Sequence, residues 1–219
     1  MLTKAAENEA FVRRAQQWLG VTADGHAGPV TNRAFAEKIM PAQAPPASAP
    51  SAPVSPERPA SGFVLGSGSR ARLAGVHPRL IAVVERAIAL TPQDFTVHDG
   101  LRTEAQQRVL VQRGASKTMN SKHRVQPDGY GHAVDLVPFV NGGLRWEWPL
   151  IWPIAAAMHQ AAREQNVALT WGGVWDRPFG DLDGSPEGLE RAVAAYVARR
   201  RALGQSAFID GPHYELRGA

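Results

Sequence analysis

Cysteine is absent from this 219-residue chain. No disulfide framework braces it, and any metal it holds must be taken by nitrogen and oxygen ligands. That absence suits an oxidising or a reducing compartment equally. No apolar run reaches the roughly 18 residues a membrane span requires, so stable membrane insertion is not expected. The opening residues, Met1 to Ala10, have no apolar core of the secretory kind, so the expectation is a protein made without a signal peptide. What is present is ordinary for a soluble globular protein, with 44% hydrophobic and 20% charged residues. The formal net charge of +4 suits a solvated basic surface, or steering toward an anionic partner such as nucleic acid or bacterial cell wall. No basic-aromatic motif supports nucleic acid.

The chain divides by composition into three parts. Over residues 1–40, Phe11, Val12, Ala15, Trp18 and Leu19 recur at helical spacing. Gly20 suits a helix C-cap, Asp24-Gly25 a turn, and Pro29 the first turn of a second helix burying Val30, Ala34, Phe35 and Ile39. The pattern Ala15-Gln-Gln-Trp-Leu-Gly-Val21, Asp24-Gly25, Gly28-Pro29, Thr31 and Ala34 resembles the small helical peptidoglycan-binding module found beside cell-wall hydrolases. The usual module has three helices, whereas this stretch has room for two. Residues 41–62 form a Pro/Ala/Ser linker that favours extended polyproline II and spaces its neighbours apart. Residues 63–219 are the larger domain.

Within that domain, helices are expected at Pro78–Leu90, Glu104 to about Arg113, Pro149–Gln165 with Pro153 in its first turn, and Pro186–Leu203. Thr103 and Gln106 fit a capping box, and Gly114 fits a helix stop. Strands are expected at Phe95–Asp99, His132–Phe139, Val167–Trp171 and Pro212–Leu216. Short strands between helices in this order point to an α+β domain with a small, mostly antiparallel sheet.

The polar residues in those strands raise the chemical question. Asp135 sits among Val134, Leu136 and Val137, and alternation aims it with Ala133 and Val137. A buried carboxylate needs a partner, either a metal or an arginine. His123 and His132 lie in the preceding segment, while Asp210 and His213 lie near the C-terminus. Imidazole and carboxylate are zinc ligands, and three protein ligands with a fourth open position make the catalytic kind of site.

Three ordered motifs then match a known group: Ser121-x-His123, Gly131-x-Ala133-x-Asp135-Leu136, and Asp210-x-x-His213-Tyr-Glu-Leu216, with Gly100-Leu-Arg-Thr103 upstream. Over roughly residues 75–217 the chain resembles the zinc peptidases of the D-alanyl-D-alanine carboxypeptidase and L-alanyl-D-glutamate endopeptidase family, whose folds are related to the hedgehog amino-terminal domain. The resemblance implies one Zn²⁺ held by His123, Asp135 and His213. It implies that Asp210 is the general base that activates the attacking water and passes the proton to the leaving amine. It also implies that Arg102 steadies the developing oxyanion. These roles agree with general-base and oxyanion chemistry.

Eleven residues separate His123 from Asp135, more than the family's common form, so Gln126–Tyr130 reads as an inserted turn. His132 becomes a rival ligand, but strand alternation points it away from Asp135. Ser121, Gln106 or Gln107, and Trp171 are candidates for lining the substrate cleft. Trp171-Gly-Gly-Val-Trp175 resembles a segment that precedes the family's last motif. His98 reads as a packed histidine, and Asp181–Ser185 as a polar turn without the ligand register of a Ca²⁺ loop. The reading is a monomeric endolysin of phage type that cuts the peptidoglycan stem peptide between L-alanine and D-glutamate, after a holin lets it reach the wall. The alternatives are a D,D-carboxypeptidase and a non-catalytic zinc-containing wall-binding protein.

Overall fold

The structure is a computed structural model that describes residues 62–218, except 115 and 117. The helical module expected over 1–40 lies outside the described residues, as does the linker over 41–62 apart from its last residue.

Helix α1 (Ser67–Arg72) precedes α2 (Pro78–Leu90) and strand β1 (Phe95–Asp99). Helix α3 (Glu104–Gln112) follows, and a long loop leads to β2 (Ala133–Val140) and the two-residue β3 (Gly143–Leu144). The rest comprises α4 (Trp148–Glu164), β4 (Leu169–Trp171), a 3₁₀ turn (Phe179–Asp181), α5 (Pro186–Ala202) and β5 (His213–Leu216). The expected helices and strands are present with ends shifted by a residue or two; β4 starts two residues late. Pro153 lies inside α4 rather than in its first turn; the helix begins at Trp148, and it is Pro149 that sits in the first turn.

Local chemistry accounts for the boundaries. Pro78 pre-sets the first turn of α2, and the His77 ring accepts a hydrogen bond from the Arg79 amide at 3.1 Å. Thr103 and Gln106 complete a reciprocal capping box on α3. Gly114 leaves that helix in the left-handed region at φ 72°. The Ser185 hydroxyl caps α5 by accepting from the Gly188 amide at 3.0 Å.

The strands pair antiparallel in the order β1-β2-β5-β4, with β3 joined to β2. Alternation along β2 places Val134 and Leu136 in the main core. There they join Leu80, Val83, Val84 and Ala87 of α2 and Ile154, Ala155, Met158 and Ala161 of α4. Each fully buried side chain of the leucine or valine size contributes about 1.5–3 kcal/mol. The opposite parity of β2 carries Ala133, Asp135 and Val137, so the core that rigidifies the sheet also fixes where Asp135 stands.

Candidate metal centre and active-site cleft

Asp135 is paired on both sides. In register it faces Asp99 of β1 and His213, the first residue of β5. The sheet thus delivers one carboxylate and one imidazole from adjacent strands. The third group arrives from the loop before β2. The backbone of that loop is zipped to its neighbours: the Arg102 amide donates to the His123 carbonyl at 2.8 Å, and the His132 amide donates to the Lys122 carbonyl at 2.7 Å. The His123 amide donates to the Ser121 hydroxyl at 3.2 Å.

His123, Asp135 and His213 converge as a group able to hold a metal ion. His123 Nε2 lies 3.2 Å from Asp135 Oδ1 and 3.3 Å from His213 Nδ1, and His213 Nδ1 lies 3.0 Å from Asp135 Oδ1. Ligand atoms about 2.0–2.1 Å from a tetrahedral zinc lie ~3.3 Å apart. The triangle therefore has the dimensions of one face of that tetrahedron.

Each of the three has an outer partner that orients it. His123 Nδ1 donates to the Gly100 carbonyl at 2.8 Å, which leaves the Nε2 lone pair facing the centre. His213 Nε2 faces a Glu215 carboxylate oxygen at 3.2 Å. Asp135 Oδ2 accepts from Arg102 Nη2 at 2.6 Å, and the same nitrogen donates to Asp99 Oδ2 at 2.9 Å. The sequence motif could not display Asp99 and Glu215 as partners, because their roles depend on strand register and loop closure.

Burial opposes ionisation of Asp135, but the His123 and His213 rings beside it hold its carboxyl well below the usual range. Burial alone would lower His213; its hydrogen bonds to Asp135 and Glu215 outweigh that and raise it to about 9. Asp210 is pushed up by burial first and then by the negative charge of Asp135. A carboxyl held above its ordinary value beside a metal-ligand set suits proton transfer near neutral pH.

Gly172 explains how Asp210 reaches this place. The Asp210 amide donates to the Gly172 carbonyl at 2.8 Å, and the Gly172 amide to the His213 carbonyl at 2.9 Å. A Cβ at Gly172 would stand 2.3 Å from the Asp210 carbonyl oxygen. The second residue of the Trp-Gly-Gly segment is therefore glycine because the Asp210–His213 segment runs directly against it.

A cleft of about 800 Å³ opens over the three ligands and is lined by Arg102, Ser121, Asp210 and Glu215 among others. Its aromatic lining comes from Trp146, Trp175 and Phe208. Trp171 does not belong to it. The sequence made Trp171 a cleft candidate, but its side chain is fully buried in the core and its indole nitrogen donates to the Gly211 carbonyl at 2.8 Å. The tryptophan of this segment that lines the cleft is Trp175. Gln106 spends its amide oxygen on the Thr103 amide at 2.7 Å and borders a smaller neighbouring cavity of about 400 Å³. Gln107 is buried and donates to the Ser116 hydroxyl and the Thr118 carbonyl. His132 is buried apart from the ligand group and bonds Asp128 at 2.8 Å. The inserted turn thus brings its own carboxylate partner for the rival histidine.

A family model described as phage L-alanyl-D-glutamate peptidase matches residues 61–188, a span that includes Arg102, His123 and Asp135. The L-alanyl-D-glutamate peptidase of Escherichia phage T5 is 35% identical over 118 residues, which cover 52% of this chain and 82% of that protein. The crystal structure of Serratia marcescens L-Ala D-Glu endopeptidase ChiX is similar with a TM-score of 0.51 and 32% identity, covering 71% of this chain and 90% of that one.

Proposed function

Because the chain belongs to the phage L-alanyl-D-glutamate peptidase family, we propose that it is a peptidoglycan-degrading zinc endopeptidase that hydrolyses the L-alanyl-D-glutamate bond of the wall's stem peptide. The observation that carries this reading is the convergence of His123 Nε2, Asp135 Oδ1 and His213 Nδ1, with Asp210 lining the same cleft. Zinc fits the donor set, which is nitrogen and oxygen only, spaced as a tetrahedral face and backed by Gly100, Arg102 and Glu215. When bound, the metal supplies Lewis acidity that generates a nucleophile at neutral pH and polarises the scissile carbonyl.

The residues of the chain do the rest. Asp210, raised above its ordinary pKa, takes a proton from the attacking water and returns it to the leaving amine of D-glutamate. Arg102 Nη2 bridges Asp135 and Asp99 and fixes the ligand carboxylate in place. The same guanidinium borders the cleft, where its positive charge favours the oxyanion as it develops. Ser121 holds the backbone that carries His123. Residues 1–40 act as a wall-binding module and 41–62 as its spacer, raising local enzyme concentration on an insoluble substrate. The protein works as a monomer on the wall, reaching it with a holin's help.

Mass spectrometry of purified wall digested by the full chain tests this. New L-alanine C-termini and D-glutamate N-termini are expected. Released free D-alanine would replace this reading with a D,D-carboxypeptidase, and an unchanged wall would leave only a wall-binding protein.

A further inference from the structure

The β2–β3 hairpin carries an apolar stripe that leads into the cleft. Asp135, Val137 and Phe139 alternate onto one face of β2. In register, Phe139 pairs with Leu144, and the Arg145 amide donates to the Pro138 carbonyl at 2.9 Å. The same register sets Trp146 opposite Val137, on the face of Asp135. Trp146 stands on the β5 edge of β2 and His98 on the β1 edge. Their T-shaped ring contact, at 5.4 Å and 85°, therefore spans the strand beside Asp135. Val137 is fully buried although it lies outside the main core, as a residue under that ring contact would be. A bulge in β1 makes the contact possible. The β1–β2 register slips between Val97 and Asp99, so His98 and Asp99, neighbours in sequence, both line the cleft.

The stripe is open to solvent. Phe139 is 37% exposed, Leu144 40% and Trp146 54%. The indole nitrogen of Trp146 has no hydrogen-bond partner among the described residues. Its charged neighbours Arg145 and Glu147 are paired with each other. An exposed apolar surface continuous with a catalytic cleft marks where a ligand lies, and its reach sets the ligand's length. A strand rise of ~3.3 Å puts Trp146 about 7 Å, and Phe139 with Leu144 about 13 Å, from Asp135 along β2. One residue on either side of the scissile bond reaches only ~4 Å, or ~6 Å when linked through its side chain. The stripe thus lies beyond the scissile pair, whichever end of the substrate points this way.

We propose that Phe139, Leu144 and Trp146 form an exosite for the wall polymer, so that the chain prefers extended peptidoglycan to a short stem peptide. The proposal rests on the endopeptidase reading above. Trp146 is the anchor. Its indole, braced by His98, takes uncharged C–H-rich parts of the polymer, and its N–H donates to a carbonyl or hydroxyl oxygen there.

The test compares two substrates of the zinc-loaded full chain: solubilised polymeric peptidoglycan, and acetyl-L-alanyl-γ-D-glutamyl-diaminopimelate. Trp146→Ala is the main variant and Trp146→Phe the conservative one. Leu144→Ser decides the matter if thermal melts show that Trp146→Ala does not fold. Residues 1–40 are the same in every variant, so they cannot produce a difference between variants. An aromatic contact of this kind is worth a roughly three- to tenfold effect. The expected result is that Trp146→Ala raises KM for the polymer by that factor with kcat held, while KM for the short peptide stays unchanged. Trp146→Phe recovers most of the loss, and Leu144→Ser acts in the same direction more weakly. Equal losses on both substrates by a folded variant, or no loss on either, overturn the exosite while leaving the endopeptidase in place. So does a drop in sedimenting mass on Trp146→Ala, which would make the stripe a contact between copies of the chain. If the wild type cuts neither substrate between alanine and glutamate, the endopeptidase reading itself falls and the exosite with it.

Discussion

Metal uptake by this site must expel a proton, and the structure says from where. His213 directs Nδ1 at Asp135 and Nε2 at Glu215, at 3.0 and 3.2 Å. Both ring nitrogens therefore face carboxylates, which is the arrangement that keeps imidazolium protonated, up to about pH 9. A metal needs the Nδ1 lone pair, so it competes with that proton at any pH below about 9. Apparent zinc affinity should rise roughly tenfold per pH unit, about a hundredfold from pH 6 to pH 8. Titration calorimetry at pH 7, in buffers of different ionisation enthalpy, should count one proton released from His213 per zinc bound. Glu215→Gln weakens one of the hydrogen bonds that raise His213, so its count at pH 7 should fall below that of the wild type. The same group links pH to folding. The folded pKa is raised from 6.5 to about 9, so its contribution to metal-free stability is fully present below pH 6.5 and is lost as pH rises through about 9. The shift corresponds to ~3 kcal/mol. Thermal melts of the chelated protein should therefore fall across that window, whereas melts of the zinc-loaded protein should not follow the same curve. A proton count of zero from the wild type at pH 7, or an affinity flat from pH 6 to 8, would refute the reasoning.

Other perturbations separate chemistry from scaffold. Asp210→Asn should keep bound zinc by metal analysis while activity on wall fragments falls about 10²–10⁴-fold, the range for a lost general base. His123→Ala should lose zinc, whereas His132→Ala should keep it and lower the melting temperature, since His132 is buried on Asp128 away from the ligands. Gly172→Ala puts a Cβ 2.3 Å from the Asp210 carbonyl, so about 1–3 kcal/mol of stability should be lost by denaturant melts, together with activity. Thr103→Ala removes the capping box of α3 and should cost about 1 kcal/mol, with zinc content unchanged.

The parts of the fold that could be read from the chain are those whose cause is local. Pro78 with the apolar spacing of Leu80, Val83, Val84 and Ala87 specifies α2, and Thr103 with Gln106 specifies the start of α3. Strand alternation puts Asp135 on the face opposite Val134 and Leu136. The hairpin into β3 was not among the expected elements, although Asn141-Gly142, both at positive φ, is the pair a two-residue primed turn demands. Helix α1 has no comparable signature, because its six residues, Gly68 among them, hold only one buried side chain, that of Ser69. The ligand triad was visible only through motif resemblance, since His123 and His213 are joined by loop closure and strand pairing rather than by spacing. Trp171 and Trp175 were indistinguishable in sequence. What separates them is that β4 buries the first and ends before the second.

The central claim is that this cleft cuts between L-alanine and D-glutamate. The most direct measurement is mass spectrometry of purified peptidoglycan digested by the zinc-loaded protein, with Asp210→Asn and chelated samples as controls. The account predicts new L-alanine C-termini and D-glutamate N-termini that neither control produces. Free D-alanine as the product, or a digest indistinguishable from the controls, would contradict it.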